Sequence, residues 1–221
     1  MKLREFYARY SSWALGMSPQ EAYELQRVLQ MDERAQGQGL KATRSGPGGG
    51  AEATPFTVAF MLIGAMANGA RADAIETVWK YWHIETEGSN TSAFWVPEGK
   101  SHEEAAREAG IGYALCPFTR QILFGEALRF LLRNPIHAAL VDRIELVRGH
   151  EDVSIYWRDG DEVKRSRFIA EHNKAEAAWL EKQGALRVVC TLGGKALAMI
   201  ACDLRKVTEP EREAKKGRSD A

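Results

Sequence analysis

Leu3, Phe6, Tyr7 and Tyr10 recur at intervals of three and four, which predicts a first helix over residues 3–13 with one apolar face. Ser18-Pro19-Gln20-Glu21 reads as a helix start. The serine suits the N-cap, the proline suits the first helical position, and the glutamate closes a capping box. The second helix is expected to run to about Asp32, with Ala22, Leu25, Val28 and Leu29 inward. Gln20, Glu24, Arg27 and Gln30 then fall on or near the opposite face. The glycines and Pro47 between Gly37 and Ala53 exclude a helix there. Thr54-Pro55 opens a third helix that is apolar on most sides, so a central position is expected, and Asn68-Gly69 ends it. Residues 70–82 form a fourth, with Ile75, Val78, Trp79 and Trp82 on one face.

Residues 83–100 read as a linker or irregular loop, residues 101–110 as a short capped helix, and residues 124–133 as a helix that stops before Asn134-Pro135. After residue 140 the period changes to two. Residues 143–147, 153–157 and 163–169 are expected strands, the second turning at Asp159-Gly160. Val153, Ile155 and Trp157 should face inward and Ser154 and Tyr156 outward. Lys164, Arg165 and Arg167 on the next strand should carry positive charge into solvent. A helix over 173–183 follows. A last hairpin is expected around Gly193-Gly194, from strands 186–192 and 196–204. The fold class is therefore α+β. A mostly α N-terminal domain over 1–85, of winged helix-turn-helix layout, precedes a small antiparallel α+β module over 86–207. The charged stretch 208–221 is expected to be a disordered tail.

Charge narrows the function classes. Lys and Arg number 30 and so do Asp and Glu, so an overall basic coat is excluded while a local patch is not. Cys116, Cys190 and Cys202 are far apart and form no C-x-x-C pair, which argues against a zinc ribbon or a disulfide framework. Each sits among apolar neighbours and reads as a small buried hydrophobe in a reducing compartment. No apolar run approaches the ~18 residues of a membrane span, so a cytoplasmic location with no membrane partner is expected. Gly48-Gly49-Gly50 lacks the Lys-Ser/Thr of a phosphate loop, and Gly193-Gly194-Lys195 falls in the expected hairpin turn. The five histidines show no metal-ligand spacing. No catalytic residue, metal or cofactor is assigned, and the expectation is that the protein is not an enzyme.

The two capped helices and the loop between them point to nucleic acid. Gln pairs well with adenine and Arg with guanine in the major groove, so Gln20, Arg27 and Gln30 are the candidate base-facing residues. Arg34, Lys41, Thr43, Arg44 and Ser45 form a polar, cationic stretch with no acid between Glu33 and Glu52, suited to phosphates. A plain amphipathic helix and a linker are the alternative readings of the same residues.

Ser18-Pro19, Gly39-Leu40-Lys41, the run Arg44 to Ala51 and Thr54-Pro55 resemble a known pattern. It is that of the winged helix-turn-helix regulators carried by temperate phages and gene transfer agents in alphaproteobacteria. The likeness covers about residues 15–68. It implies a transcriptional regulator, of phage or mobile-element origin, whose partner is double-stranded DNA. The C-terminal module would dimerise or bind a second protein. The competing reading is an adaptor or inhibitor that contacts a protein through the glycine loop and the Trp79/Trp82 patch.

Overall fold

The computed structural model describes residues 1–41, 50–67, 73–89, 108, 114–170, 173 and 188–216, with side chains to 206 in the last stretch. Helix α1 is Leu3–Tyr10. It loosens into a π-type turn at Ser11–Leu15, closed by Gly16 at φ 64°, and so ends before Trp13. Helix α2 is Pro19–Leu29, three residues shorter than the periodicity suggests. Its start is the expected capping box: the Glu21 amide donates to Ser18 Oγ at 3.2 Å and the Ser18 amide donates to Glu21 Oε2 at 2.7 Å. A short helix α3, Glu33–Ala35, continues as a π-type turn over Gln36–Leu40.

Helix α4, Pro55–Ala67, begins where Thr54-Pro55 predicts. Its start is doubly closed: the Thr57 amide donates to Thr54 Oγ1 at 3.1 Å and the Thr54 amide to Thr57 Oγ1 at 2.8 Å. Every residue from Phe56 to Ala67 is buried, as an all-round apolar helix requires. Helix α5 is Ala74–Trp82, α6 is Phe124–Arg133 and α7 is Pro135–Leu140. The expected helices over 101–110 and 173–183, and the end of α4 at Asn68-Gly69, lie outside the described residues apart from single positions.

Strands β1 Val141–Val147, β2 Asp152–Asp159, β3 Glu162–Ile169 and β4 Val189–Gly193 form one antiparallel sheet in the order β3-β2-β1-β4. Its inner face carries Ile144, Leu146, Val153, Ile155, Phe168 and Leu192, all buried. The hairpin expected at Gly193-Gly194 does not form. The chain leaves β4 directly into a long helix, α8, Gly194–Lys216. Ala196, Leu197, Ile200, Ala201 and Leu204 are buried because they repeat at helical spacing and face α6, α7 and β1. The same helix carries the backbone past Thr208, where the charged tail begins.

Residues 83–89 also do more than link. Ile84 is buried, the Ile169 amide donates to Glu85 O at 3.0 Å, and the Glu87 amide donates to Arg167 O at 2.8 Å. The segment thereby lies along the free side of β3.

One continuous core crosses residue 85. Helix α4 packs on α2 and α5 and equally on α6, β1 and β4. Arg148 Nε donates to Met66 O at 2.9 Å at the end of α4. Tyr81 Oη donates to Val147 O at 2.6 Å and accepts from the Gly149 amide at 3.2 Å, which clamps the β1–β2 turn onto α5; burial pushes this phenol up to about 12. At the far side Tyr10 Oη donates to Asp203 Oδ2 at 2.7 Å and Arg9 pairs with the same carboxylate, joining α1 to α8. The cysteines divide: Cys116 is buried, Cys190 half-buried, and Cys202, on the outer side of α8, is exposed rather than packed among its apolar neighbours.

Candidate nucleic-acid interface

The surface of α2 collects Gln20, Tyr23 and Arg27, all exposed. They lie at positions i, i+3 and i+7, so they share one face about 10 Å long. Gln20 Nε2 donates to Glu24 Oε1 at 3.1 Å, which pre-positions the amide but also brings an acid beside it. Gln30, at i+10, closes this face at the C-cap. It is half-buried, its Nε2 is buried with no hydrogen-bond partner among the described residues, and its carbonyl accepts from Gln36 Nε2 at 2.5 Å. Helix α2 stops at Leu29 because the chain must turn here to bring Asp32 to the start of α3.

Asp32 holds that turn. Its carboxylate accepts from the Arg34 amide at 2.8 Å, the Ala35 amide at 3.1 Å and Trp79 Nε1 at 2.9 Å. Arg34 grips the same group through Nη2 at 2.6 Å and lies 4.7 Å over the Trp79 ring. Arg34 is therefore placed by an acid and an aromatic of its own chain, and its charge is locally balanced. The guanidinium, above all, holds the Asp32 carboxyl down at about 2 against the opposing effect of burial. Sequence reasoning missed this residue, although an Asp followed by Glu33-Arg34-Ala35 is a legible N-cap.

The depressed value has a testable sign. The ionised form of Asp32 is favoured by folding, so its contribution is complete above its ordinary 3.8 and is lost as pH falls through about 2. Asn at this position keeps an acceptor for the two amides but not the charge. The gap in thermal midpoint between wild type and Asp32→Asn should therefore narrow as pH drops from about 5 towards 2. A gap independent of pH would mean that Arg34 contributes nothing through charge.

Beyond the turn, Gly39 at φ 95° brings the chain to Lys41, which is exposed. Thr43, Arg44 and Ser45 lie outside the described residues. The Trp79/Trp82 pair packs largely inward. Trp82 is buried against Phe56 and Phe60, with ring centroids 4.9 and 5.9 Å away, and half-buried Trp79 lies between Phe60, His83 and Arg34.

The outer face of the sheet is less cationic than its sequence suggests. Arg167 is bound to buried Asp152 and Lys164 pairs with Asp159, while Ser154, expected in solvent, is buried and accepts from Arg165 Nε at 2.9 Å. Arg143 lies 3.9 Å over Tyr156 and is itself paired with Asp142 and Glu145. Only Arg165 of the three β3 cations is both exposed and held by a neutral partner. Among the described residues no cluster of His, Cys, Asp and Glu could hold a metal ion, and no helix is long and apolar enough to cross a membrane.

No protein-family model matches the chain, and neither a curated protein nor a solved structure does.

Proposed function

We propose that the protein binds duplex DNA as a transcriptional regulator, with the exposed face of α2 as the base-facing element. The observation that carries this reading is the placement of Gln20, Tyr23 and Arg27 on one free helix face, next to a turn that delivers Lys41 at the start of the glycine-rich basic stretch. Long amide and guanidinium side chains on one helix face are what base edges in a major groove accept. Lys41, Thr43, Arg44 and Ser45 would hold backbone phosphates. Arg34 acts differently from the others: paired with Asp32 and set over Trp79, it shapes the turn behind α2. The zero net charge of the whole chain makes the phosphate contacts local, so few are available and affinity depends on all of them. The resemblance over residues 15–68 supports the same reading and suggests a phage or mobile-element origin.

A gel-shift titration of the full chain with duplex DNA at low salt should show binding below ~100 μM, since even non-specific binders reach that range. Arg27→Ala should weaken the preferred site by about 1–3 kcal/mol and leave other sequences unchanged, as loss of a base contact does. Lys41→Ala should weaken all sequences alike and reduce the slope of log affinity against log salt by about one. A folded protein that shifts no DNA would remove the proposal. Identical behaviour of the two variants would remove the division of roles.

A further inference from the structure

The two edges of the sheet are finished in different ways. On β3 the pairing with β2 leaves the amides and carbonyls of Arg167 and Ile169 pointing outward, and the segment 85–87 occupies them through the Glu87 amide and the Glu85 carbonyl. The rest of that edge carries Glu162, Lys164 and Arg165, which discourage pairing with another chain. On β4 the geometry is the reverse. The Arg148 amide donates to Val188 O at 2.9 Å, so residues 188, 190 and 192 bond to β1 and Val189, Thr191 and Gly193 present their backbone groups outward.

Nothing in β4 blunts that edge. Val189–Gly193 reads Val-Cys-Thr-Leu-Gly, with no charge, no proline and no register shift against β1. Val189, Thr191 and Gly193 are all exposed, and Val188 beside them is 54 % exposed. The turn 11–15 packs beside β4 and α8 follows it directly; they add Trp13 at 51 % and Met199 at 46 % exposure. An open strand edge bordered by apolar side chains is a template for one more strand.

We propose that this strand is β4 of a second copy of the chain, paired antiparallel about a two-fold axis centred on Thr191. An uncharged strand is suited to its own antiparallel partner, because no like charges meet within it. The closed, charged β3 edge leaves β4 as the side on which the sheet can grow. Thr191 of each copy then lies opposite Thr191 of the other, and the two four-stranded sheets join into one. The inference does not depend on DNA binding.

The test is sedimentation equilibrium of the full chain with variants at the centre of the pair. Wild type should be a dimer at ~50 μM. Thr191→Lys places two like charges face to face and should weaken association more than ~tenfold, as should Thr191→Glu alone. Mixing the two should restore a dimer, which a merely misfolded variant could not do. Val163→Lys, on the opposite edge, should leave the dimer intact. Wild type that is monomeric at ~50 μM overturns the proposal. So does a dimer that neither Thr191 variant weakens, or a mixture that stays monomeric.

Discussion

Gly194→Ala should lower the stability of the protein by about 3 kcal/mol or more, while Gly193→Ala next to it should be close to neutral. A Cβ on Gly194 would stand 1.7 Å from Val141 O and 2.5 Å from Val141 C, against the ~3.3 Å at which carbon and a carbonyl oxygen normally meet. Both atoms are backbone, at the start of β1, and cannot swing aside as a side chain would. Either β1 or the first turn of α8 must move, and both are tied to the core through Ile144, Leu197 and Ile200. A Cβ on Gly193 would meet nothing within 4 Å. For a chain of this size the Gly194 variant should melt roughly 6–12 °C lower. Equal melting temperatures for the two variants would show that α8 does not approach β1 as closely as described.

Asp152→Ala should be of similar size, about 3–5 kcal/mol, because it breaks a buried ion pair by removing one partner. Asp152 is 3 % exposed, and Arg167 grips it side-on, Nε to Oδ1 at 3.0 Å and Nη2 to Oδ2 at 2.7 Å. Glu87 stands 3.8 Å from the same guanidinium, with about half of its side chain in solvent. Without Asp152 the guanidinium stays half-enclosed between β2, β3 and residue 87. The double variant Asp152→Leu, Arg167→Met should recover most of the loss, since it removes both charges and fills their volume. Urea denaturation gives the comparison directly, as midpoint shifts at constant slope. A double variant as unstable as the single one would mean that shape, not the broken charge pair, causes the damage.

Residues 193 and 194 look alike in sequence, and two glycines between apolar runs suggest a hairpin turn. The spacing of Ala196, Leu197, Ile200, Ala201 and Leu204 already favours a helix, but five short apolar positions read locally suit either element. The structure decides for a helix because α8 can cover α6, α7 and β1 together, and only a glycine at its start lets the backbones approach.

Capping chemistry made other elements legible. Ser18 and Thr54 mark the starts of α2 and α4 through contacts within three residues, which tertiary packing has no reason to change. The strands β1 to β3 were legible for a similar reason: alternation and the Asp159-Gly160 turn act between neighbours. The candidate interface was legible only in part. Gln20 and Arg27 are exposed, as the periodicity of α2 predicts for its polar face. That Gln30 is half-buried and Arg34 is paired with Asp32 was not legible, since Asp32 is set in turn by Trp79, 47 residues away.

The chain's own pattern thus determined the α+β class, the helix starts and the polar face of α2, all set by forces that act over a few residues. Tertiary structure alone decided that residues 1–85 share a core with the sheet. It also decided which basic side chains are balanced by acids, and that one sheet edge is closed while the other is open. Those outcomes depend on residues far apart in sequence meeting in space, and no local periodicity encodes which of them will meet.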